Sequence, residues 1–112
     1  MNFLEQPKKL QIELSSMCNA LCLGCQRTNS QNYNSVKECI PKKHIVEVST
    51  FKNLLTSNIM SSLEVLEFCG SIDEPLIHPQ FFEILDTAYS VNSNFSITIH
   101  TNASLRSEKD WA

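Results

Sequence analysis

A chain of 112 residues with 42% hydrophobic and 19% charged side chains has the length of one domain and too much apolar content for disorder. Its net charge of -3 sets 12 acids against 9 Lys and Arg scattered along the sequence, which argues against a nucleic acid partner. No stretch reaches the roughly 18 uninterrupted apolar residues of a membrane span, and residues 1–10 lack the apolar run of a signal peptide. The expectation is a cytoplasmic protein with no membrane partner, whose 5 cysteines are metal ligands or core residues rather than a disulfide framework.

Residues 1–9 read as an N-terminal extension, with Lys8 and Lys9 on the surface. Leu10, Ile12 and Leu14 then alternate with Gln11 and Glu13, the period-two pattern of a short strand. That strand runs directly into Cys18, Cys22 and Cys25, so residues 10–25 form one unit of strand and cysteine loop. Three thiolates in eight residues suit a soft metal or an iron-sulfur cluster. Residues 26–44 hold Asn29, Asn32, Asn34, several serines and Pro41 without sustained periodicity, and predict a long loop.

The remaining α/β units occupy residues 45–112. Phe51, Leu54, Leu55 and Ile59 share a helical face behind Ser49, a candidate N-cap. Leu63 to Cys69 predicts a second strand, and Gly70 to Pro75 a loop. His78-Pro79 is expected to open the next helix, with proline where a missing N–H is tolerated, and Phe81, Ile84, Leu85 and Ala88 recur at helical spacing. Phe95, Ile97 and Ile99 alternate into a third strand ending at Thr101-Asn102. Ser107 followed by Asp110 resembles a capping box at the start of a further helix. A helix capped so close to Ala112 predicts that the chain is a truncated form of something longer. The order β-α-β-α-β predicts parallel strands, which ordinarily have both faces covered and further strands beside them.

Three stretches, in this order, resemble the radical S-adenosylmethionine (radical SAM) superfamily. Cys18-x3-Cys22-x2-Cys25 after a first strand is similar to its cluster signature. Phe68-Cys69-Gly70-Ser71-Ile72-Asp73-Glu74-Pro75 is similar to its Gly-Gly-Glu-Pro motif, and Thr101-Asn102-Ala103 to the Thr-Asn-Gly stretch of many members, particularly those related to the SPASM and twitch subgroups. The resemblance implies a single partial domain: an α/β fold that is a truncated partial (β/α)6, TIM-like barrel of about three parallel β-α units. It implies a 4Fe-4S cluster on Cys18, Cys22 and Cys25, with one iron open to S-adenosylmethionine. It also implies reductive cleavage of that cofactor to a 5'-deoxyadenosyl radical that abstracts hydrogen from a substrate. Gly24 by its backbone, Gly70, Glu74 as acceptor for the methionyl ammonium, and Asn102 would contact the cofactor. An electron donor, and either a complementing polypeptide or a homo-oligomer, are the implied partners.

The chain departs from that pattern at Gly24, where an aromatic is frequent, at Asp73, in place of the second glycine, and at Ala103, in place of the last one. Simpler readings stand beside the resemblance. Positions i, i+4 and i+7 share a helical face, so the three cysteines could be a buried stripe. Cys39 or His44 could complete a structural zinc site, and the chain could be a non-catalytic iron-sulfur fragment. Cys69 reads as a core residue at a strand end, Cys39 as a loop residue and His78 as a helix-start residue. His100 lies on the face opposite Phe95, Ile97 and Ile99.

Overall fold

Alternation of apolar and polar residues builds three short strands. The computed structural model describes residues 6–68 and 71–111. Strand β1 spans Lys9–Ile12, β2 Val65–Phe68 and β3 Ser96–Ile99, all parallel in the order β1-β2-β3. The register places Leu10, Leu66 and Ile97 in one row and Ile12, Phe68 and Ile99 in the next. Because successive side chains point to opposite faces, these six residues form a single apolar face.

Helices α1 (Val48–Leu55) and α2 (Phe81–Val91) pack against each other, and their buried residues share one core cluster with Leu66 and Phe68. Phe68 is the hub, with ring centroids 6.0 Å from Phe51 and 5.9 Å from Phe81. The opposite face holds Lys9, Gln11, Glu67, Ser96 and Thr98 around the half-buried Val65. The expectation of two covered faces therefore fails among the described residues: one face is apolar and covered by helices, the other is polar. On the polar face Glu67 pairs with Lys9 and, at 2.7 Å, with His100 Nε2. The hydrogen bond from Lys9, followed by that from His100, holds the Glu67 carboxyl below the usual glutamate range.

Several boundaries differ from those expected. Leu14 lies beyond β1 yet is fully buried, because the chain turns after Ile12 and the Leu14 N–H is taken by Asp73 Oδ2 at 2.8 Å instead of by a strand. Leu63 and Phe95 precede β2 and β3 but stay buried. Helix α1 begins at Val48 behind Glu47, which makes no side-chain cap, so Ser49 lies inside the helix. It ends at Leu55, where the hydroxyls of Thr56 and Ser57 bond back to Lys52 O and Leu54 O. Ile59 consequently falls in a separate 3-10 turn, Asn58–Met60, and is exposed.

The helix-opening proline is Pro75, not Pro79. A 3-10 turn, Pro75–Ile77, starts with Glu74 at its N-cap, and α2 opens only at Phe81. Helix α3 (Glu108–Trp111) carries half of the expected box: Asp110 Oδ2 accepts from both Ser107 N and Ser107 Oγ, so the serine hydroxyl donates to the acid rather than capping an N–H. The 26–44 segment, expected as a plain loop, doubles back through an antiparallel bridge between Thr28 and Val36, with Asn29 and Asn32 side chains closing tight turns. It rejoins the body where Ser16 and His44 exchange two 3.0 Å hydrogen bonds. No helix among the described residues is long and apolar enough to cross a membrane.

Candidate functional site

Parallel strands deliver their following loops to one end of the sheet, so residues 13–25, 71–78 and 100–106 meet there. Glu74 joins them. It is 3% exposed, and its backbone N–H donates to Met17 O in the first loop at 2.8 Å. Its Oε1 accepts from Leu76 N at 3.2 Å and from the Thr101 hydroxyl, while Oε2 accepts from Asn102 N at 2.8 Å. A carboxylate offers about four lone-pair positions; three are occupied by protein donors, which leaves one.

Asn102 carries the connection onward. Its Nδ2 donates to Asn19 Oδ1 at 2.9 Å and lies 4.0 Å from Cys18 Sγ, while its Oδ1 accepts from Ser104 N and Oγ. Asn19 Nδ2 in turn donates to Ser104 Oγ at 2.7 Å. Cys18, Glu74 and Asn102, separated by as many as 84 residues, thus belong to one hydrogen-bonded assembly. Thr101 and Asn19 belong to it as well, and the sequence marks them only by adjacency, Thr101 to Asn102 and Asn19 to Cys18.

The cysteine segment is a loop, not a helix, and Cys22 is exposed, so the buried helical stripe is ruled out. Cys25 N donates to Cys22 O at 3.1 Å across a four-residue turn whose third residue, Gly24, has φ +78°. Positive φ at that position is what glycine supplies without a steric cost. A Cβ on Gly24 would meet nothing within 4 Å, so the requirement is one of backbone conformation alone. Cys22 O also accepts from the Thr28 hydroxyl at 3.0 Å, which fixes the far side of the turn.

Asp73 does not need glycine's freedom, since it is absent from the positive-φ residues; its carboxylate instead binds the N–H groups of Leu14 and Ser15. Glu13 reciprocates by accepting from Ile72 N at 2.7 Å. Ala103 does occupy a left-handed position, with φ 56°. Alanine there costs roughly 1–2 kcal/mol, against about 0.5–1 kcal/mol of extra chain entropy that glycine loses on folding. Ala103→Gly is accordingly expected to stabilise the protein by about 0.5–1 kcal/mol, read as a rise in the thermal unfolding midpoint.

The other candidates separate by environment. His78 is fully buried, its Nδ1 accepting from Gln80 N at 3.0 Å and its Nε2 facing Val46 O at 2.7 Å, so the ring proton sits on Nε2 and the residue is a structural tie. His100 is exposed on the polar sheet face, and Cys39 is exposed in the 26–44 segment. Gly70 and Cys69 lie outside the described residues.

Cys18, Cys22, Cys25 and Cys39 are free thiols. Among the described residues no three Cys, His, Asp or Glu side chains converge as a single metal ion requires. A four-iron, four-sulfur cluster makes a different demand, because each of its protein thiolates binds a separate iron. The three thiols sit on an irregular loop, Cys22 exposed and Cys18 and Cys25 half-buried, with the Gly24 turn between Cys22 and Cys25. No protein-family model, no curated protein and no solved structure matches the chain.

Proposed function

We propose that this chain is a radical SAM-type protein, binding a 4Fe-4S cluster through Cys18, Cys22 and Cys25 and S-adenosylmethionine beside Glu74. The observation that carries this reading is the hydrogen-bonded path from Cys18 through Asn102 to Glu74 at the carboxyl ends of three parallel strands. When bound, the two cofactors supply reductive cleavage of S-adenosylmethionine to a 5'-deoxyadenosyl radical, which takes hydrogen from a substrate.

The residues of the chain divide the remaining work. The three thiolates hold the cluster, and the Gly24 turn sets Cys22 against Cys25. Glu74 offers its fourth lone-pair position to the methionyl ammonium, a charge-assisted contact, while its three protein donors keep the carboxylate fixed. Asn102 positions Cys18 relative to Glu74, and the Gly24 backbone would contact the cofactor, as would Gly70 by the resemblance. The apolar face under α1 and α2 and the polar face bearing Glu67, Thr98 and His100 fit an outer and an inner wall of a partial (β/α)6 barrel. In that reading further strands come from a complementing polypeptide or a second copy, an electron donor docks near the cysteines, and the chain works in a reducing cytoplasm.

Anaerobic reconstitution with iron and sulfide tests the assignment. The expected result is about four irons per chain, with most of the iron and the visible absorbance lost in Cys22→Ala, whose exposed site leaves the fold intact. Equal iron binding by wild type and Cys22→Ala would sink the cluster. Formation of 5'-deoxyadenosine after reduction with S-adenosylmethionine tests the second cofactor, and its loss in Glu74→Gln alongside an unchanged iron content assigns Glu74 to that cofactor.

A further inference from the structure

Four cations of the 26–44 segment are turned by the fold toward one cavity. Four of the 9 Lys and Arg residues of the chain, Arg27, Lys37, Lys42 and Lys43, line one cavity of about 470 Å³ behind the cysteine loop, with Glu38 as the acid on its wall. A net positive wall of this density stands out in a chain whose overall charge is -3.

Arg27 is the centre of it. The side chain is 6% exposed; Nη1 donates to Ser16 O at 3.0 Å and to Ile72 O, and Nε has no hydrogen-bond partner among the described residues. Carbonyl oxygens satisfy donors without neutralising charge. Both partners of Arg27 Nη1 are main-chain carbonyls, and the ion pairs Lys8–Glu64, Lys9–Glu67 and His100–Glu67 among the described residues lie elsewhere. Buried charges are ordinarily paired, because desolvation of an unpaired ion is expensive. The same cavity has an apolar side formed by Val36, Ile40, Pro41 and Ile77, and its volume lies within the roughly 300–1,000 Å³ of small-molecule sites.

We propose that this cavity binds a small organic oxyanion, a carboxylate or a phosphate ester, with its charged head toward Arg27 and Lys37 and its apolar body on Val36 and Ile40. Electrostatics supplies the orientation and the apolar side the remaining contact. Cys18 also lines this cavity, so the site borders the cysteine loop, but the proposal requires no iron and no thiolate.

Calorimetric titration of the full, iron-free chain at fixed ionic strength tests it, with phenyl phosphate, benzoate and neutral benzyl alcohol as probes. The expected result is saturable one-to-one binding of phenyl phosphate or benzoate, whichever head group the site prefers, and none of benzyl alcohol. The Lys37→Gln, Lys42→Gln double variant should weaken that binding by about tenfold or more, the loss expected for charge-assisted contacts. Lys52→Gln, on α1 and outside the cavity, should leave it unchanged. Use of the iron-free chain separates this site from the cluster chemistry. Absence of saturation by both anions, equal affinity in the double variant, or equal binding of benzyl alcohol each overturns the proposal. These variants leave Arg27 in place, so the fold it helps to tie remains intact.

Discussion

Glu74→Gln will destabilise the protein by about 2–4 kcal/mol in urea unfolding, although it removes a single charge and adds no volume. The carboxylate meets three donors, two at Oε1 and one at Oε2. An amide can present its oxygen to one side only. With oxygen toward Leu76 and Thr101, the new NH2 opposes the Asn102 N–H; flipped, it opposes the Leu76 N–H and strands that donor. Either orientation leaves a main-chain N–H without an acceptor at a position that is 3% exposed, where water cannot substitute freely. The loss should be local before it is global: amide exchange at Leu76 and Asn102 will accelerate more than at Leu66 in the core of β2. Glu83→Gln is the control, because that exposed side chain accepts only a surface contact from Gln80 Nε2 and should change stability by less than about 0.5 kcal/mol. If both variants unfold alike, Glu74 is not the joint between the three loops.

That joint marks the boundary of what the sequence makes legible. Strand identity depends on alternation, a local property, and Leu10, Ile12, Leu66, Phe68, Ile97 and Ile99 display it openly. Strand ends depend on which distant group takes the next N–H. Leu14 continues the alternation, yet its N–H is claimed by Asp73, 59 residues away, and no window of sequence contains both. The same reason explains the proline: Pro75 and Pro79 both follow a polar residue, and Glu74 reaching Leu76 N decides which one opens a helical turn. Of the candidate site, Cys18, Glu74 and Asn102 were named from motif positions alone, and the fold brings them into one network. Thr101, Asn19 and the Arg27 cavity were not, because hydrogen bonding across loops and the convergence of Arg27 with Lys37, Lys42 and Lys43 are properties of the folded chain.

Phe68→Ala carries the largest packing penalty expected, about 3–5 kcal/mol, the range for a fully buried aromatic cut to a methyl. Phe68 is 0% exposed on the central strand and bridges α1 through Phe51 and α2 through Phe81. Its removal opens a cavity at the point where both helices rest on the sheet, and neither helix can settle inward without pulling the other off Leu66 and Ile84. Against a total of about 5–15 kcal/mol for a domain of ordinary stability, the variant should be partly unfolded at 37 °C. Phe68→Leu, which keeps most of the volume, should cost about 1–2 kcal/mol and remain folded, so that the series can be read even if the alanine variant cannot. Phe82→Ala is the counterpart: its ring is 41% exposed and is covered by the Arg106 guanidinium at 5.2 Å, a cation-π contact worth about 0.5–1 kcal/mol at such a site. A loss at Phe82 equal to that at Phe68 would contradict a core centred on β2. The ordering Phe68→Ala, then Phe68→Leu, then Phe82→Ala would place the support of the Glu74 loop in the packing of Phe68, immediately upstream of that loop.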